Sequence, residues 1–414
     1  MTGHNPRSVP SAPVVAPPEP PSTALPACGA LLLLAGLFWG AFSSLREERP
    51  ARRSADGDEP RVRVALIESA REATIRLDGG WLIEPDEGPV SFLAEPDLLT
   101  VRPVGGGLAV TGSTLSVGYP GAREVLLRPL EARSPEPDFG LAGRRYRGRL
   151  RLIRLEAERL RAVNEVGIED YLAGVIGHEM PLRWSDAALR AQVIAARTYA
   201  LVNRHPERDH DLKADTRSQV YAGLLREDAR ARRLVEETRG QVVTYEGELV
   251  NTYFHSTCGG DTVPARWIFP WVEEDSLPLS GASGCACQAS RFYRWTARVP
   301  ATKVARLGLS PPLASVRVEH WPRGLYVRRL VLRDRAGVER SVSGWDARRL
   351  LGLRSYAFDA ELDPAGQTLT LRGRGWGHGV GMCQFGAEGF ARQGKSTRWI
   401  LRHFYPGTER TTLY

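Results

Sequence analysis

Valines at positions 62 and 64 alternate with arginines, and two more short runs, 73–77 and 81–83, flank Asp78-Gly79-Gly80. Period-two alternation on either side of an Asp-Gly turn predicts a β-hairpin. Similar runs broken by Gly or Pro continue to about residue 165, so 61–165 reads as a β-rich region. At Ser185 the period changes. Leu189, Val193, Ala196, Arg197 and Ala200 fall at i, i+4, i+7, i+8 and i+11, one stripe of an amphipathic helix with an arginine on it. A second helix is predicted over about 228–239, stopped by Gly240. Strands follow at 241–245 and 249–254, joined by Glu246-Gly247-Glu248, with His255 sharing a face with Tyr253 and Asn251. Strand patterns occupy about 296–372. Short helices fit 384–392 and 396–404, the last capped by Ser396 and ended by Pro406-Gly407. The predicted class is α+β: a β-rich N-terminal part, then a mixed helix and strand body over 166–414.

The first 60 residues read differently. Residues 1–26 are rich in Pro, Ser and Ala, with Arg7 their one basic charge, and are predicted to be a disordered leader. No charge occurs from 27 to 45, about 19 residues, against the roughly 17–25 that span a bilayer as a helix. This single apolar helix is read as a signal anchor or a cleaved signal peptide. Residues 46–60, charged and punctuated by Pro and Gly, make a linker. Arg46, Arg49, Arg52 and Arg53 follow the apolar run, and by the positive-inside rule they oppose export of the body.

Composition narrows the classes. Hydrophobic residues are 42% and charged residues 25% of 414, which excludes fibrous and wholly disordered chains. The balance of 56 Lys+Arg against 48 Asp+Glu favours acidic partners, but the arginines are scattered, which argues against nucleic acid. Five cysteines are too few for a dense disulfide framework.

Three segments carry candidate chemistry. In Gly174-Val175-Ile176-Gly177-His178-Glu179-Met180-Pro181, Glu179 is predicted at a turn ahead of Pro181. The position four after His178 is Leu182, so a metalloprotease His-Glu-x-x-His site is excluded. An arginine on a buried stripe needs an anion, because an unpaired buried charge is costly. For Arg197 the candidates are Glu179 and an acidic substrate group. His255, Cys258, Cys285 and Cys287 form a Cys₃His set suited to tetrahedral zinc, with a disulfide or free thiols as alternatives. Cys383 reads as a fifth sulfur or a buried small hydrophobe. Glycine at every second position from 375 to 381 would let the backbone approach a ligand closely and offers His378 from a tight turn. Tyr293, Trp295 and Tyr405 are candidate stacking platforms for sugar rings, or aromatic core.

The runs Tyr171 to Val175, Glu179-Met180-Pro181, Ala188 to Gln192, Ala195 to Ala200, Phe254 to Gly260 and Gly377 to Gln384 together resemble the stage II sporulation protein D family, which includes the amidase-enhancer type. The resemblance implies a lytic transglycosylase acting on peptidoglycan strands stripped of stem peptides. It implies Glu179 as catalytic acid/base, Arg197 as its required neighbour, a zinc ion held by Cys and His in some members, and an extracytoplasmic body in the cell envelope. His378, Gln384, Tyr293 and Tyr405 are the substrate-binding candidates. Partners so implied are glycan strands, a cell-wall amidase, and the membrane through the N-terminal helix. His178 departs from the family pattern, where a small residue is expected, and Cys383 stands where Ser is commoner. The enzymatic expectation rests on Glu179 and Arg197 facing one another.

Overall fold

The computed structural model describes residues 59–130 and 137–414. The expected leader 1–26, the apolar helix 27–45 and all but the end of the 46–60 linker lie outside the described residues. Among the described residues no helix is long and apolar enough to cross a membrane.

The β-rich region forms two sheets. One has seven strands in the order Leu212–Lys213, Arg61–Ala70, Arg159–Gly167, Arg149–Leu155, Glu124–Pro129, Trp81–Pro85 and Ser91–Leu93; the other has six, Arg144–Arg147, Asp138–Leu141, Ala73–Leu77, Asp97–Val104, Gly107–Thr111 and Ser116–Tyr119. Alternation dictates the burial: Ala73, Ile75 and Leu77 are inside while Thr74 and Arg76 are exposed. The expected hairpin at Asp78-Gly79-Gly80 does not form. Leu77 pairs with Asp97 in the smaller sheet, and Trp81 pairs with Leu93 and Pro129 in the larger. The turn, with Gly79 at φ 92°, is therefore a corner between sheets. Local alternation specifies a strand and leaves its partner open, and here burial of Trp81 in the core between the sheets decides it.

Helix α1 (Ile168–Glu179) continues directly from the strand Arg159–Gly167. Helix α2 (Asp186–Val202) starts after Ser185, and α3 (Ala229–Glu237) is capped by Asp228, whose carboxylate accepts from Ala231 N at 2.8 Å. Every residue of the predicted α2 stripe is buried. The strand Gln241–Tyr245 turns at Glu246-Gly247 into Glu248–Leu249, and on its other edge pairs with Glu409–Thr412. One hydrophobic core runs from Val62 through α1 and α2 to Tyr405, so the β-rich region and the helical body share it. Residues 295–371 enclose a second core, built from two three-stranded sheets and α4 (Gly344–Leu351). The chain then returns to the first core through α5 (Gln384–Arg392) and α6 (Thr397–Phe404), the latter capped by Ser396 as expected.

Candidate active site

Glu179 is the last residue of α1. The helix stops there because Pro181 holds the residue before it extended, and Met180 sits at φ −134° and ψ 145°. Glycines thin one face of α1. A Cβ on Gly174 would lie 2.8 Å from Gly223 O, and one on Gly177 would lie 2.7 Å from Arg226 O, so both admit the backbone of 223–226 against the helix. That close approach builds one wall of a cleft of about 500 Å³, lined by Gly177 to Arg183 on one side and Arg226, Glu227 and Asp228 on the other.

The carboxyl of Glu179 is half-buried in this cleft and held from two directions. Oε1 accepts from Val220 N at 2.9 Å, and Oε2 accepts from Gln384 Nε2 at 3.3 Å. Gln384 Nε2 is shared with Gln192 Oε1 at 3.4 Å. Burial raises the carboxyl above its ordinary value, although both hydrogen bonds oppose it. Nearby, burial followed by Tyr253 and Glu179 pushes the Tyr199 phenol up to about 12. Burial, then Arg226 and Arg144, push the His178 imidazole down.

Arg197 is elsewhere, which corrects the expected pairing. Its guanidinium is fully buried and clamps Glu169, Nε to Oε1 at 3.0 Å and Nη2 to Oε2 at 2.6 Å, while Nη1 donates to Gln241 O at 3.0 Å. Glu169 is in the first turn of α1 and Glu179 in the last, roughly 15 Å apart along the axis at 1.5 Å per residue. The anion that Arg197 requires is therefore an internal glutamate, neither Glu179 nor a substrate, and its support for the enzymatic reading is withdrawn. The ion pair fixes α1 to α2, and the bond to Gln241 O ties both to the start of the strand Gln241–Tyr245.

Four sulfurs converge in the first core. Cys258, Cys285, Cys287 and Cys383 are buried, unbridged, and have their Sγ atoms within 4.8 Å of one another. Cys258 and Cys287 Sγ are 3.6 Å apart, too far for the 2.05 Å of a disulfide and close to the edge of a ZnS₄ tetrahedron, about 3.8 Å for bonds near 2.3 Å. The donor set thus fits a structural metal ion, with Cys383 in the place expected of His255. The expectation of Cys383 as a small hydrophobe fails because it caps α5: its Sγ accepts from Gly386 N and from Cys258 N, both at 3.3 Å. Burial would raise this thiol, but the neighbouring Cys258, Cys285 and Cys287 hold it well below the usual thiol value. His255 pairs with Cys383 across the strands; its Nδ1 donates to Val380 O at 3.1 Å, and Nε2 is buried without a partner.

The remaining candidates divide. Gln384 reaches Glu179. His378 is spent on backbone, accepting from Val380 N at Nδ1 (3.1 Å) and donating from Nε2 to Phe254 O (2.8 Å). Tyr405 is buried, and its hydroxyl donates to Tyr253 O at 2.8 Å, so it offers no platform. Tyr293 packs on the first core beside Gly260 and does not line the cleft. The alternate glycines approach their own chain instead of a ligand: a Cβ on Gly377 would meet His255 Cβ at 2.7 Å, and one on Gly381 would meet Tyr253 O at 2.1 Å. Sequence reasoning missed Gln192, Arg183, Arg226 and the Val220 amide. Gln192 alone carried a signal, as a polar residue in the buried helix.

Residues 156–245, which include Glu179, α2 and α3, match the family model described as Stage II sporulation protein. A stage II sporulation protein D of Bacillus amyloliquefaciens is 30% identical over 274 residues, 60% of this chain and 75% of that protein. An uncharacterised protein of Brachyspira hyodysenteriae is 30% identical over 293 residues, 66% of this chain and 73% of its own length. An amidase enhancer of Bacillus subtilis is 27% identical over 296 residues, which span 40% of it. On these matches the chain belongs to the stage II sporulation protein D family.

Proposed function

We propose that this chain is a lytic transglycosylase that cleaves the β-1,4 bond between N-acetylmuramic acid and N-acetylglucosamine in peptidoglycan strands stripped of stem peptides. One observation carries the reading: a half-buried carboxyl at the end of α1, raised above its ordinary value, lies in an open cleft with no basic side chain bonded to it. A carboxyl raised in this way keeps its proton to higher pH than an ordinary one, as a general acid needs. Oε1 is taken by Val220 N, so Oε2, with the longer contact to Gln384, is assigned the labile proton. The proton passes to the glycosidic oxygen as the C1–O4 bond breaks. The resulting carboxylate takes the proton of the muramyl 6-hydroxyl as O6 bonds to C1, closing a 1,6-anhydro ring. No water is consumed, so the second carboxylate of a hydrolytic glycosidase is not needed. Mass spectrometry of stripped strands incubated with the protein is expected to show anhydro ends, lost in Glu179→Gln; strands that stay intact with the parent protein contradict the reading.

The likeness to an amidase enhancer supports a second reading, a non-catalytic peptidoglycan binder that activates an amidase. It predicts retention on strands without products. In either reading the body sits in the cell envelope, exported or anchored through 27–45. The sulfur cluster is assigned to zinc, which when bound would tie the strand Phe254–His255 to α5 and so steady Gln384.

A further inference from the structure

The mouth of the cleft carries both signs of charge, and two of its arginines are left without an ion-pair partner among the described residues. Glu227 is bonded to both Arg147 and Arg232, and Asp228 is committed to capping α3. Arginines around it are likewise paired: Arg230 with Asp186, and Arg233 with Asp186 and Glu237. Arg183 and Arg226 line the same cleft as Glu179, both exposed, and neither has a carboxylate partner among the described residues. Two guanidiniums without an ion-pair partner thus line a space large enough for a sugar. A guanidinium binds carboxylate through charge-assisted, often bidentate hydrogen bonds.

We propose that Arg183 and Arg226 form an anion subsite that holds a carboxylate carried by the sugar at the scissile bond. The inference rests on the transglycosylase reading for its ligand, a strand with free lactyl carboxylates, and transfers to the cleft the anion-binding role that Arg197, occupied by Glu169, does not perform. An amide in place of that carboxylate, as on a strand still bearing peptides, offers no charge to the two guanidiniums. The subsite therefore makes the stripped strand the preferred ligand.

Binding is measured by calorimetry with the Glu179→Gln chain, which cannot turn over, on stripped strands and on the same strands methyl-esterified at the lactyl carboxylate. Esterification is expected to weaken binding about tenfold, and Arg183→Gln/Arg226→Gln to weaken binding of the free-acid strand by the same factor while leaving the ester unaffected. Arg233→Gln, an exposed arginine already paired, is expected to change neither. Equal affinity for acid and ester, or equal losses on both in the double variant, overturns the subsite. If the parent protein also makes anhydro ends from the ester at full rate, the subsite fails and the transglycosylase reading stands. If neither strand binds and no anhydro ends form, both fail.

Discussion

At position 197 a buried guanidinium grips Glu169 with two hydrogen bonds, and at position 179 a carboxyl has no cation bonded to it. The two residues should therefore fail in different ways. Removing one partner of a buried pair typically costs about 3–5 kcal/mol. Arg197→Ala and Glu169→Ala are each expected to lower stability by that order in urea unfolding, with loss of activity following loss of fold. A double variant, Arg197→Met with Glu169→Leu, should recover most of it. Were Arg197→Ala as stable as the parent yet inactive, the positional account of this arginine would be wrong. Glu179 behaves oppositely. Burial holds its folded value above the unfolded one, so the stability it contributes is complete below the ordinary carboxyl value of about 4.3 and is lost as pH rises through the folded value. Glu179→Gln, which cannot ionise, is expected to melt higher than the parent near pH 8 and at the same temperature near pH 4, as calorimetry across that range would read. The sequence makes both residues conspicuous, but it cannot say which acid meets the arginine, because Glu169 and Glu179 lie on the same helix.

Among the elements, α2, α5 and α6 were legible because each carries its own period, with Ser185 and Ser396 at the expected starts of α2 and α6 and Pro406-Gly407 just past the end of α6. Helix α1 was harder to read. Its Gly174 and Gly177 lower helix propensity, and they are there for the wall formed by 223–226. The strand at 81–85 was read correctly as a strand and given the wrong partner. In the 375–381 loop, spacing revealed close approach but not to what. A Gly381→Ala change meets a positive φ of 66° and a backbone oxygen at 2.1 Å, and should cost more than the ~1–2 kcal/mol of the left-handed conformation alone. Gly247→Ala, with φ 85° and open space, should cost no more than that; equal losses in chemical denaturation would show that the loop can give way. For the sulfur cluster, metal analysis of the purified protein is expected to give about one zinc, lost in Cys383→Ser as fully as in Cys285→Ser and retained in His255→Gln. Zinc lost with His255 and retained without Cys383 would restore the Cys₃His set.

Across the whole molecule, the class, the β-rich first part and the family were all readable, because period-two patterning and long ordered motifs survive in one dimension. The cleft was not. Its walls come from α1 and from a turn near 226, its amide from Val220, and its amide side chain from Gln384, brought together only when the first core closes around α1 and α5. The central claim is that Glu179 moves one proton across a sugar bond without water. Digestion of stripped glycan strands in heavy-oxygen water, followed by mass spectrometry, tests it directly. Cleavage by Glu179 predicts anhydro-muramic ends with no heavy oxygen, and none from Glu179→Gln. Reducing ends carrying heavy oxygen, or anhydro ends formed equally by Glu179→Gln, would contradict it.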